Sequence, residues 1–274
     1  MVEANIATLF QAAFLPGILA ALGYMLVIAI VVRIFPDSGP AAPKATRAER
    51  WSALLDIWAV LLIFILVMGG IYSGIFTPTE GAGIGCVGTF LIAITRGGMR
   101  LNGIIDVFLS TASTTGLIFL IILGAAIFNA FLGFTELPNE LADYFKNSGL
   151  PPVTIIVMMV VIYILLGFIM DSLSMILLTV PIFWPIIAGL DFGMPVDDVK
   201  LWFGIVSLIV VEVGLITPPV GLNVFVISSM AKDVPMIETF KGVIPFFMSD
   251  AVRVAIIIWL PSISLFLPHL LAAE

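Results

Sequence analysis

The stretch Leu208–Asn223 constrains the fold more than any other. It reads Leu-Ile-Val-Val-Glu-Val-Gly-Leu-Ile-Thr-Pro-Pro-Val-Gly-Leu-Asn, apolar on both sides and interrupted in the middle. Pro218 and Pro219 remove two consecutive backbone donors, and Pro218 drives Thr217 out of the α region. A helix arriving from Trp202 therefore stops near Ile216 and restarts near Gly221. In hydrocarbon such a break strands carbonyls and amides at a cost of several kcal/mol each. It persists only inside protein or against a wet cavity. There the freed carbonyls, the Thr217 hydroxyl and the Asn223 amide can hold an ion or a polar solute. Discontinuous helices of this kind mark the binding sites of secondary transporters. A single proline would suggest a kink without a ligand; Thr-Pro-Pro-Val-Gly-Leu-Asn favours a site.

Such a break matters only if the chain is in a membrane, and composition places it there. Of 274 residues, 61% are hydrophobic and 11% charged, with mean hydropathy +1.24. A soluble domain carries about 25% charged residues. The net charge of −7 comes with basic residues scattered in short loops, so no nucleic-acid patch forms. Cys86 is the one cysteine, excludes an intrachain disulfide, and reads as a packing residue in an apolar run. His269 is the one histidine, which excludes a multi-histidine metal site. Residues 1–9 lack the basic start of a cleavable signal peptide.

Spans are expected at Leu9–Val32, Leu54–Ile71, Ala82–Thr95, Thr111–Phe134, Leu201–Met230 and Val243–Leu267. A Pro-rich linker occupies 35–50. Thr77-Pro78-Thr79-Glu80 reads as a capped helix start, with Glu80 reaching back to Thr77. Leu101–Ser110 reads as an interfacial amphipathic helix. Residues 135–152 and 191–200 read as acidic loops. Asp250 and Arg253, three apart, suit a local ion pair.

Residues 153–190 behave differently. Val153–Ile169 is apolar, Met170-Asp171-Ser172-Leu173-Ser174 interrupts it, and Met175–Ile187 is apolar again. Each arm is short for about 30 Å of hydrocarbon. The expectation is a re-entrant hairpin with Asp171, Ser172 and Ser174 at its tip. Charge distribution requires it. With the first span ending inside, inner loops hold Arg33, Lys44, Arg47, Arg50, Arg96, Arg100, Lys232 and Lys241, and outer loops hold Lys146 and Lys200. A straight span at 153–190 would reverse the loops that follow it.

A carboxylate at mid-membrane is costly and functional by default. Asp171 beside Ser172 and Ser174 forms one oxygen cluster. Thr217, Asn223 and the carbonyls freed by Pro218 and Pro219 form another. Oxygen donors suit hard cations. Joined, hairpin tip and broken helix make a sodium site, with Asp171, Ser172, Thr217 and Gly221 as candidate ligands. The half-helix opening at Gly221-Leu222 turns its positive end toward mid-membrane, where it suits a substrate carboxylate. Ser172, Ser174, Pro218, Pro219, Gly221 and Asn223 are the candidate substrate contacts. The plainer role for Asp171 is N-cap of the hairpin's second arm, and capping and coordination are compatible.

Three stretches also carry a family resemblance: Gly214–Asn223, Phe76-Thr77-Pro78-Thr79-Glu80, and Gly167–Ser174 followed by Thr179-Val180-Pro181-Ile182. Together they resemble the large membrane subunit of tripartite ATP-independent periplasmic (TRAP) transporters. That family resembles divalent anion:sodium symporters. The resemblance implies an all-α polytopic membrane protein, half of an elevator-type transporter with one re-entrant helical hairpin and one discontinuous transmembrane helix. It implies sodium as coupling ion and no other cofactor, and organic acids delivered by a periplasmic binding protein. A small membrane subunit braces the large one. The location implied is the bacterial inner membrane, with the C-terminus periplasmic. Val210 and Leu173 depart from the family pattern, where an asparagine and a small or hydroxyl residue are usual. Only the family's second half is covered, so an N-terminal half is an expected partner.

The domains expected are scaffold-like helices with a cytoplasmic linker at 1–100, an arm helix at 101–112, a transport-type repeat at 113–231 with hairpin 153–190 and broken helix 201–230, and a C-terminal span at 232–274. A non-transporting membrane scaffold is the alternative. An intramembrane aspartyl protease would need a second facing aspartate, which no comparable motif supplies.

Overall fold

The computed structural model describes residues 4–39, 43–230 and 234–272. Lys232 and the start of the expected C-terminal segment lie outside them. Among the described residues the chain is all-helical, and six helices are long and apolar enough to cross a membrane. Many large hydrophobic side chains, aliphatic and aromatic, are exposed along these helices, as lipid contact allows. The chain divides after Ser38 and after Phe119 into two compact units: the outer segments form one and 39–119 the other.

In the 39–119 unit, α2 (Arg47–Tyr72) and α3 (Pro78–Thr95) are antiparallel neighbours. Both begin with a capping box, Thr46 with Glu49 and Thr77 with Glu80. Gly81, Gly85 and Gly88 form one face of α3. Added side chains there would meet Ile71, Val67 and Ile63 of α2 at 2.9–3.3 Å, so the missing side chains allow the close approach. Cys86, between them, is exposed rather than packed. Arg96 closes α3 with its guanidinium 5.0 Å from the Trp58 ring.

The arm helix expected at 101–112 and the span after it are one continuous element, α4 (Leu101–Thr135). Leu109-Ser110-Thr111-Ala112 contains neither glycine nor proline, so nothing ends the first segment.

The other unit begins with α1 (Ile6–Ile34), which packs on α8 (Val196–Ile216), α10 (Met236–Trp259) and α11 (Ser262–Ala272). Helix α1 thus clusters with α8, α10 and α11 rather than with α2 and α3. The acidic loop at 135–152 is corrected. It contains α5 (Leu137–Asn147), begun by a left-handed Glu136 (φ 54°) and packed on α7 (Ser172–Ala188). Leu141 and Phe145, one turn apart, join the core, and the acidic groups point away.

The last span ends earlier than expected, at Trp259, and is followed by a further helix. Pro261 lies between α10 and α11, with Leu260 as the non-helical C-cap of α10 (φ −125°, ψ 71°). Helix α10 also begins earlier than expected, at Met236 directly after Pro235, with Lys241 bonded to Glu238 at 2.8 Å. The central helix is α8, with eleven buried residues. Its Trp202, 1% exposed, donates its indole N–H to the Ile257 carbonyl at 2.9 Å. That carbonyl would ordinarily pair with residue 261, which is proline. At the same end His269 of α11 lies 2.8 Å from Asp198 of α8.

Candidate functional site between a hairpin tip and a helix break

Two short apolar helices, α6 (Pro152–Gly167) and α7, are joined by Phe168–Asp171. They run antiparallel. The Thr179 hydroxyl lies 2.9 Å from the Tyr163 hydroxyl, and Tyr163 stacks edge-on against Phe183 with centroids 5.2 Å apart. Asp171 is the N-cap of α7. Its carboxylate accepts from the Ser174 amide at 3.0 Å and from the Ser174 hydroxyl. Asp171, Ser172 and Ser174 are all half-buried.

Helix α8 stops at Ile216 and α9 (Leu222–Met230) resumes after five residues, as the prolines dictate. Thr217 is extended (ψ 132°) and 7% exposed. Its amide donates to the Gly214 carbonyl at 3.1 Å and its hydroxyl to the Val213 carbonyl at 2.6 Å. The Leu215 carbonyl faces position 219, a proline, and so has no intrahelical donor. Pro218 and Pro219, joined by a cis peptide, are exposed. Gly221 has φ +51°, the left-handed region that glycine adopts without strain. Its carbonyl accepts the first bond of α9, from the Phe225 amide at 2.9 Å. Asn223 is half-buried in that first turn.

What joins the two elements is a pair of glycines. A Cβ on Gly167 would stand 2.6 Å from the backbone of Gly214, and one on Gly214 3.1 Å from the Gly167 Cα and the Tyr163 carbonyl. The last turn of α6 therefore touches α8 backbone to backbone. Gly167 is four residues before Asp171 and Gly214 three before Thr217, so both polar stretches emerge from one contact. Their oxygens are satisfied within their own elements: Asp171 caps α7 and Thr217 bonds back to α8. A carboxylate accepting two bonds, and a hydroxyl that donates one, keep lone pairs for a cation. Sequence reasoning named Asp171, Ser172, Ser174, Thr217 and Asn223 but not Tyr163, and assigned no role to Gly167 and Gly214. The available signal was a small residue placed one turn before each polar break.

Residues 1–263 match the family model described as "Tripartite ATP-independent periplasmic transporter, DctM component". The chain belongs to that family. It is 35% identical over 270 residues to the C4-dicarboxylate TRAP transporter large permease of Pseudomonas aeruginosa, covering 97% of this chain and 61% of the relative. It is 29% identical over 267 residues to the sialic acid TRAP transporter large permease of Vibrio cholerae, covering 97% of this chain and 60% of that protein. Another relative, 29% identical over 271 residues, is the ectoine TRAP transporter large permease of Halomonas elongata, with 97% of this chain and 60% of the relative covered. The chain thus spans about 60% of the length of these relatives. The TRAP permease family comprises membrane transport proteins, so the aspartyl protease alternative falls away.

Proposed function

We propose that this chain supplies part of a sodium-coupled, binding-protein-dependent permease for organic acids in the bacterial inner membrane. The observation that carries the proposal is the Gly167–Gly214 contact, since the chain leads from it within four residues to a capped carboxylate on one side and to a helix broken at two prolines on the other. The donors on offer are the Asp171 carboxylate, the Ser172 and Thr217 hydroxyls, and carbonyls around Leu215 and Gly221. All are oxygen, as a hard cation such as sodium prefers. The amides opening α9 at Leu222, with Asn223, suit a carboxylate. The substrates in the relatives' names support that class, since C4-dicarboxylates, sialic acid and ectoine all carry a carboxylate.

Arms of 16 and 17 residues reach about 24–26 Å, short of a comfortable crossing. The hairpin accordingly enters and leaves from the outer side, and the distribution of lysine and arginine supports the same orientation, with the C-terminus periplasmic. An elevator site sits between two repeats, each giving a hairpin and a broken helix. The described residues offer one of each. The working assembly therefore adds the region of the relatives that this chain does not cover, a small membrane subunit and a periplasmic binding protein.

Succinate uptake in proteoliposomes tests the proposal. The chain would be reconstituted with those partners and with the uncovered segment taken from the Pseudomonas aeruginosa relative. An inward sodium gradient should drive accumulation, and omitting the segment should abolish it. Accumulation by the 274-residue chain alone would overturn the reading.

A further inference from the structure

We propose that Asn129 is a positioning residue that fastens α4 to the hairpin through the carbonyl left open by Pro181. Pro181 sits inside α7 and has no N–H, so the Leu177 carbonyl, four residues earlier, loses its intrahelical donor. The Asn129 amide Nδ2 donates to that carbonyl at 3.2 Å, across 48 residues of sequence. Its neighbours on α4 are lipid-facing: Ile127, Phe128 and Phe131 are 65%, 40% and 59% exposed. An amide in such a setting is costly unless bonded, and an orphan carbonyl equally so. The Asn129 N–H and the Leu177 carbonyl each remove the other's penalty, while the amide oxygen remains unpaired. The amide's Oδ1 is buried without a hydrogen-bond partner, so the bond to Leu177 is the asparagine's recorded polar contact.

A related pairing occurs at the end of α10, where Pro261 follows the last helical turn. Trp202 donates to the Ile257 carbonyl, which Pro261 cannot reach. In both places a side chain from another helix donates to a carbonyl that the proline four residues on cannot serve.

The consequence for the hairpin is mechanical. Leu177 lies six residues beyond Asp171, about 9 Å along the helix axis. Asn129 holds α7 from α4, and Tyr163 holds it from α6 through Thr179. Helices α5 and α8 also pack on α7, so loosening the first weakens, without abolishing, the hold on the arm that carries the tip. This inference deepens the proposed role of the hairpin, but its test requires no transport.

A thermodynamic cycle isolates the bond. The purified chain would carry Cys86→Ser, with Met175→Cys as a reporter at a residue 0% exposed. Maleimide reaches that site only when the arm opens. Asn129→Leu should raise the labelling rate about threefold, the usual factor for one interhelical hydrogen bond in a membrane protein, and lower the melting temperature. In a Pro181→Ala background, the restored N–H fills the Leu177 carbonyl, and Asn129→Leu should then change neither quantity. Asn129→Ala serves the same cycle if the leucine variant folds poorly. Equal effects in the two backgrounds, or no effect of Asn129→Leu in the parent chain, would overturn the proposal.

Discussion

At the scale of single residues the site depends on what is missing. Gly167 and Gly214 let two backbones touch, and any side chain would separate them. Gly167→Ala should lower stability by about 1–3 kcal/mol, the range for overpacking a tight contact. Gly124→Ala, on α4 with nothing within 4 Å, should be neutral or slightly stabilising because alanine favours helix. Thermal unfolding in detergent separates the two, and equal melting temperatures would contradict the contact. The Asp171 cap and the Thr77–Glu80 box were both legible from sequence, because each depends on residues three apart. The Gly167–Gly214 contact was not, since nothing local says which two glycines will meet.

At the scale of elements, α1 and α10 are joined by polar groups in an apolar interface. The Tyr24 hydroxyl lies 2.8 and 3.0 Å from the two Asp250 oxygens, and Arg253 donates to Asp250 at 2.9 Å. The Asp250 and Arg253 side chains are 3% and 13% exposed. Asp250→Asn leaves the Arg253 charge buried without its counter-ion, which should cost about 3–5 kcal/mol. Replacing both, Asp250→Leu with Arg253→Met, should cost clearly less, because an apolar pair avoids the desolvation of two charges. Chemical denaturation of the single and double variants checks the order, and a double variant less stable than Asp250→Asn would reverse the account. The Asp250–Arg253 half of this group was readable from its spacing. Tyr24 was not, being 226 residues away.

The helix break was placed to within a residue, since proline acts on its own and the preceding residue. Helix α5 was missed although Leu137, Leu141 and Phe145 recur every fourth residue, because the acidic groups between them dominate the composition. The continuity of α4 was missed for the opposite reason: a polar run was taken as a boundary where no residue breaks the helix.

At the scale of the whole molecule, the hairpin, the broken helix, α1 and α10 belong to one compact unit, and α2 and α3 to another. Apolar periodicity made the membrane class and most spans legible, but it says nothing about which spans associate. The grouping of α1 with α8, α10 and α11 follows from packing between residues far apart in sequence. The central claim is that hairpin tip and helix break share one ion. The sodium dependence of succinate uptake by the full assembly, compared among the parent, Ser172→Ala and Thr217→Ala with surface amounts measured in parallel, tests it most directly. Each substitution removes an oxygen donor and should raise the half-saturating sodium concentration several-fold, while the amount of protein in the membrane changes little. An unchanged sodium dependence in both variants would contradict the site.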